Sequence, residues 1–118
     1  LYRRGMARAA RLGADEVGRK TPLPLNLTRL LDIGGSHGLY ADWFCRQHPA
    51  LEADVLDLPE VVADAPSHER VRYLAGDALT FPLGENRYDV VFLCQVSHHF
   101  TAGQNRHLAE RVAGTLRP

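Results

Sequence analysis

Apolar residues recur in short runs along the chain, separated by stretches whose apolar positions repeat at helical spacing. Leu30-Leu31-Asp32-Ile33 predicts a short buried strand. Ser36 to Gln47 predicts a helix with Leu39, Trp43 and Phe44 on one face, and His48-Pro49 ends it. Ala53 to Leu56 predicts a second strand. Pro59 suits the first position of a helix over about 59–64. Val71 to Leu74 predicts a third strand and Asp89 to Leu93 a fourth. Leu108, Val112 and Leu116, four residues apart, mark a last helix. Strands alternating with helices imply an α/β domain built on a parallel sheet of about four strands with right-handed crossovers.

The first twenty residues read differently. They carry six basic groups (Arg3, Arg4, Arg8, Arg11, Arg19 and Lys20) against Asp15 and Glu16, whereas residues 21–118 carry an acidic excess. Arg11 and Asp15 lie one helical turn apart, which predicts a leading helix over 1–20. Its apolar face (Leu1, Met6, Ala9, Ala10) is too narrow for a membrane-surface helix, so it is expected to pack on the domain with a solvated face. Thr21-Pro22-Leu23-Pro24 breaks the pattern and makes 21–28 a connector, leaving 29–118 as the sheet-forming region. The sequence opens at Leu1 and stops just after the last helix. Such a helix ordinarily returns the chain to another strand, so a larger protein is expected.

Composition narrows the class. With 118 residues, 45% hydrophobic and 24% charged, the chain matches an ordinary globular domain. No apolar run approaches the ~20 residues that span a bilayer, and no apolar segment follows the basic N-terminus as in a secretory signal. Fourteen basic residues balance fourteen acidic ones, so no basic excess points to nucleic acid. Cys45 and Cys94 are expected as buried thiols in a reducing, cytoplasmic compartment. Cys94, His98, His99 and His107 lack structural-zinc spacing, and no metal is expected.

Gly34-Gly35-Ser36-His37-Gly38 places a small-residue loop between the first strand and its helix. Glycine permits positive φ and close approach to the main chain. The following helix offers free N–H groups and a positive dipole end, which suit an anionic or carboxylate-bearing ligand. The loop is not a P-loop, because no Gly-Lys-Ser/Thr follows, and its spacing departs from G-x-G-x-x-G. Asp32 would repel a pyrophosphate, and accepts instead from a cationic or hydroxyl group. Asp57, at the end of strand two and 23 residues after Gly34, stands where carboxylates accept ribose hydroxyls; it also suits the start of the next helix. Asp77, in Gly76-Asp77-Ala78, is expected at the same carboxyl edge. A competing reading takes Gly34-Gly35-Ser36-His37-Gly38 as the nucleophile elbow of an α/β-hydrolase, with Ser36, Asp77 or Asp89, and His98 in order. That fold needs several strands before its elbow, and Asp32 and Asp57 would have no role.

Leu30-Leu31-Asp32-Ile33-Gly34-Gly35-Ser36-His37-Gly38 followed by Asp54-Val55-Leu56-Asp57-Leu58-Pro59-Glu60-Val61-Val62 resembles the class I S-adenosylmethionine-dependent methyltransferases. The resemblance is closest to the small-molecule O-methyltransferases of the caffeic-acid and hydroxyindole type, whose pattern is D-x-G-G-G-x-G and then D-L-P-x-V. Tyr2-Arg3-Arg4-Gly5-Met6 is similar to the F-x-x-G-M segment preceding that loop. The resemblance implies a Rossmann-like methyltransferase sheet, incomplete here, with S-adenosylmethionine as cofactor and a small, aromatic hydroxyl compound as acceptor. It implies that Asp32, Gly34, Gly35, Ser36 and Gly38 border the methionine part. Asp57 would hold the ribose, with Leu58, Asp77 and Ala78 around the adenosine. Ser36 stands where the family prefers glycine. His98, in Val96-Ser97-His98-His99-Phe100, aligns with the family's L-H-D-W stretch and would be the general base, with His99 and Phe100 replacing the acid and tryptophan. Tyr2 and Met6 would wall the acceptor pocket. The family's dimerisation through an N-terminal domain implies a homodimer of the full-length protein. A donor-binding module without catalysis of its own is the alternative.

Overall fold

The computed structural model describes residues 26–35, 37–93 and 100–118. Among them four parallel strands form one sheet: β1 Arg29–Ile33, β2 Glu52–Asp57, β3 Val71–Ala75 and β4 Val90–Phe92, in spatial order β3-β2-β1-β4. Helices α1 Leu39–Gln47, α2 Pro59–Val62 and α3 Ala102–Thr115 lie between and after them. The chain steps from β1 to β2 to β3 on one side, then crosses to place β4 on the other side of β1. That reversal leaves a switch point at the carboxyl end of β1, where open parallel sheets bind ligands.

β1 is central, and its residues are buried on both faces, as expected of a strand inside a parallel sheet. Alternation divides them. Leu30 joins Ala53 and Val55 under α1, which contributes Ala41, Phe44 and Cys45. Leu31 and Ile33 join Leu56 on the opposite face, covered by Leu108 and Val112 of α3. Each fully buried leucine or isoleucine contributes about 1.5–3 kcal/mol of transfer free energy, so a compact two-faced core forms around a five-residue strand. Cys45 is buried with a free thiol, as expected; Cys94 lies outside the described residues.

The four strands, and the helices between and after them, match the apolar pattern, with shifted ends. The first helix begins at Leu39 rather than Ser36, because Gly38 takes a left-handed φ of 69° that no helix continues through. α3 begins at Ala102, well before the apolar triplet that announced it. A capping box starts it: the Thr101 hydroxyl accepts from the Gln104 N–H, and the Gln104 side chain accepts from the Thr101 N–H. β4 begins at Val90. Asp89 turns aside to accept from the main-chain N–H groups of Thr28 (2.9 Å) and Arg29 (3.0 Å), pinning the amino ends of β1 and β4 together. Of the expected connector only 26–28 are described, outside any helix or strand; the leading helix lies outside the described residues.

The amino edge of the sheet is closed by a buried acid. Asp54, in β2, is about 1% exposed. Its carboxylate accepts from Arg29 at 2.6 Å, from Arg72 at 3.1 and 3.2 Å and from the Tyr88 hydroxyl at 2.6 Å. Charge-assisted donors on three segments therefore converge on one carboxylate. Replacing Asp54 by alanine strands three donors, two of them guanidinium groups, and is expected to destabilise the fold by about 3–5 kcal/mol in urea denaturation.

Candidate functional site

β1 ends in a bend that its own sequence dictates. Gly34 adopts φ 76° and Gly38 φ 69°, conformations disfavoured for residues with a Cβ. The Gly34 N–H extends the sheet by donating to the Leu56 carbonyl at 2.7 Å, and the Gly38 N–H closes the bend on the Gly35 carbonyl at 2.9 Å. The first helical bond then runs from the Asp42 N–H to the Gly38 carbonyl at 2.8 Å. The His37 Nδ1 accepts from the Leu39 N–H at 3.0 Å, so the imidazole caps the first turn of α1. α1 thus points its amino end at the carboxyl edge of β1.

Asp32 lies beneath this bend with no exposed surface, and neither carboxyl oxygen has a hydrogen-bond partner among the described residues. A Cβ at Gly35 would overlap the carboxyl group, so glycine at 35 is a steric requirement of the acid below it. Burial pushes the Asp32 carboxyl up to about 7, and the neighbouring Asp57 charge adds to the rise. Buried polar groups are satisfied in the great majority of cases. A buried carboxyl with two orphaned oxygens fits a missing cationic or hydroxyl partner.

Parallel register carries the other acids to the same edge. Ile33 pairs with Leu56, so Asp57 emerges from β2 beside the bend. Its carboxylate accepts from the Leu58 N–H at 2.8 Å, while its carbonyl accepts from the Gly76 N–H at 2.9 Å, tying the end of β2 to the end of β3. The helix-start role weighed for Asp57 is not seen: α2 is capped at Leu58, without a side-chain cap. Leu58 is 46% exposed, an unusual position for a large apolar side chain. Asp77 accepts from the Leu79 N–H at 2.8 Å and shapes the turn after β3. Ala78 packs toward the α3-side core, and its carbonyl accepts from Arg111.

Asp32, Gly34, Gly35, Gly38, Asp57, Leu58 and Asp77 therefore assemble at one sheet edge. Ser36, His98, Tyr2 and Met6 lie outside the described residues, as does the Arg11–Asp15 pair. Asp89, weighed as a hydrolase acid, is at the amino edge of β4, the far end of the sheet from the glycine bend. Three residues carried no sequence assignment yet touch the bend: His37 within it, and His68 and Tyr73 behind it. Tandem small residues announce a bend, but nothing in local pattern announces what packs on its outer side. Among the described residues no cluster of His, Cys, Asp and Glu suits a metal, and no helix is long and apolar enough to cross a membrane.

Two acids, a glycine bend and a helix amino end thus lie together at the carboxyl edge of the sheet. Residues 1–118 match the O-methyltransferase domain family throughout, and the chain belongs to that family. It is 32% identical over 130 residues to mouse acetylserotonin O-methyltransferase, covering all of this chain and 33% of that protein. It is 32% identical over 82 residues to rice acetylserotonin O-methyltransferase 1, covering 69% of this chain and 22% of that protein. The crystal structure of human N-acetylserotonin methyltransferase in complex with S-adenosylmethionine superposes with a TM-score of 0.68 at 30% identity, over 78% of this chain and 27% of that one. The chain thus spans about a fifth to a third of the length of these relatives.

The raised Asp32 pKa has a consequence for stability. The folded protein holds the Asp32 proton more tightly than the unfolded chain, so ionisation of this group opposes folding. Its unfavourable contribution grows as pH rises from about 4 to about 7 and is constant above that. Asp32→Asn removes the titrating group, and is expected to flatten the loss of stability between pH 5 and pH 8 by a few kcal/mol. Thermal melts of both forms across that range measure it; parallel curves would refute the assignment.

Proposed function

We propose that this domain binds S-adenosylmethionine at the carboxyl edge of β1 and β2, and that the protein carrying it methylates the hydroxyl of a small aromatic molecule. The observation that carries the reading is the orphaned Asp32 carboxyl beneath the glycine bend. S-adenosylmethionine brings an ammonium, a sulfonium and a carboxylate. The first matches a buried acid, and the carboxylate matches main-chain N–H groups at a helix start. In this reading Asp32 accepts from the ammonium, while Gly34, Gly35, Ser36 and Gly38 let the methionine portion lie against the main chain. Asp57 accepts the ribose hydroxyls, and Leu58, Asp77 and Ala78 border the adenine. Membership of the O-methyltransferase domain family, and relatives named for acetylserotonin, support a hydroxyl acceptor on a flat ring.

When bound, the cofactor supplies an electrophilic methyl group on its sulfonium. The protein's part is alignment of acceptor and donor, which contributes up to ~7–11 kcal/mol in favourable cases. His98 removes the acceptor proton as the methyl group is transferred, a role suited to an imidazole near neutral pH. Tyr2 and Met6 wall the acceptor side.

Calorimetry with S-adenosylmethionine and S-adenosylhomocysteine tests the donor site, and absence of binding by both would overturn it. Asp57→Ala is expected to weaken both ligands by ~1–3 kcal/mol, through hydroxyls left without an acceptor. Methyl transfer to a panel of phenols separates an enzyme from a binding module. In the full-length enzyme, His98→Ala is expected to lower turnover by ~10²–10⁴ with S-adenosylhomocysteine affinity unchanged; an unaltered rate would remove His98 from the mechanism.

A further inference from the structure

We infer that His68, held in place by Tyr73, is a positioning residue that fixes the glycine bend from its outer side and so sets affinity for the amino-acid half of the donor. The inference rests on the reading of residues 34–38 as the donor-binding bend.

The His37–Gly38 peptide is held at both ends. Its N–H donates to the Gly35 carbonyl at 2.9 Å, closing the bend on itself. Its carbonyl, that of His37, accepts from His68 Nε2 at 3.0 Å. His68 comes from the connection between α2 and β3, 31 residues further along the chain. With Nε2 as donor, Nδ1 faces the Asp42 carboxylate in the first turn of α1 at 3.7 Å, so the ring sits between the bend and the helix that follows it. The side chain is only 13% exposed.

Tyr73 stands behind this contact. Its hydroxyl lies 2.6 Å from the Pro66 carbonyl and 3.3 Å from the His37 carbonyl. A hydroxyl has one proton, and the shorter contact takes it. Tyr73, from β3, thus anchors the segment that carries His68, and His68 anchors the bend. A Cβ at Gly38 would overlap the Tyr73 hydroxyl and press closely on the His68 ring. Glycine is required there by its left-handed φ and also by the Tyr73 hydroxyl. A bend whose peptide plane is fixed presents its remaining main-chain groups to a ligand without an ordering cost at the moment of binding. Neither side chain need touch the ligand for this.

The two halves of the donor make the inference testable. S-adenosylhomocysteine carries the amino-acid portion; 5′-methylthioadenosine keeps the adenosine and lacks it. In the purified chain, His68→Leu is expected to weaken S-adenosylhomocysteine about tenfold, the worth of one hydrogen bond, and to change 5′-methylthioadenosine by less than twofold. His68→Gln keeps an N–H donor at similar reach and is expected to restore most of the loss. Tyr73→Phe is expected to shift affinity in the same direction as His68→Leu. Equal losses for both ligands, no loss for either, or failure of glutamine to rescue would each overturn the inference. A wild-type chain that binds neither ligand would instead overturn the donor site itself.

Discussion

A carboxyl group with no partner, buried at the end of the central strand, is the constraint on which the site depends. β1 is covered on both faces, so any polar side chain on it loses water on folding. Asp32 sits where β1 leaves the sheet, and the next residues must turn sharply without side chains that would strike it. Gly35 meets that demand sterically and Gly34 conformationally. The bend then delivers α1 with its amino end over the acid. The unfavourable charge, the glycines and the helix direction are consequences of one another.

The two buried acids of the sheet show how its ends are divided. Asp54, toward the amino edge, collects donors from Arg29, Arg72 and Tyr88 and is satisfied within the fold. Asp89 does similar work there, accepting from the start of β1. Burial pushes its carboxyl up, but the Thr28 and Arg29 hydrogen bonds and Arg117 outweigh this and leave it below the usual carboxylate value. Asp32, toward the carboxyl edge, has none of this. Parallel strands make the separation possible, because all their carboxyl ends open on one side. Acids satisfied by the fold gather at one edge and the unsatisfied one lies toward the other.

Family membership adds chemistry that geometry alone leaves open. The described residues bring Asp32, Asp57 and Asp77 to one edge of the sheet beside a glycine bend. The O-methyltransferase domain match places the chain in a methyltransferase family. At about 30% identity to acetylserotonin O-methyltransferases, and over a third or less of their length, the match shows the family and not the acceptor.

The sequence alone determined the alternation of strand and helix, the parallel sheet, and the grouping of Gly34, Gly35, Gly38, Asp32 and Asp57, because apolar period and tandem glycines are local signals. It misplaced the start of α1, since only the left-handed Gly38 ends the bend there, and it gave no sign of the capping box before α3 until the helix was seen to begin at Ala102. What the tertiary structure decided was which groups have partners. Asp32, Asp54 and Asp89 are equivalent letters in apolar surroundings, yet one is orphaned, one is triply bonded and one fastens two strands. His68 and Tyr73 meet His37 across more than thirty residues of chain, through packing of the segment after α2 on the outer side of the bend. Contacts of that range follow from how elements stack, and no periodicity in the chain encodes them.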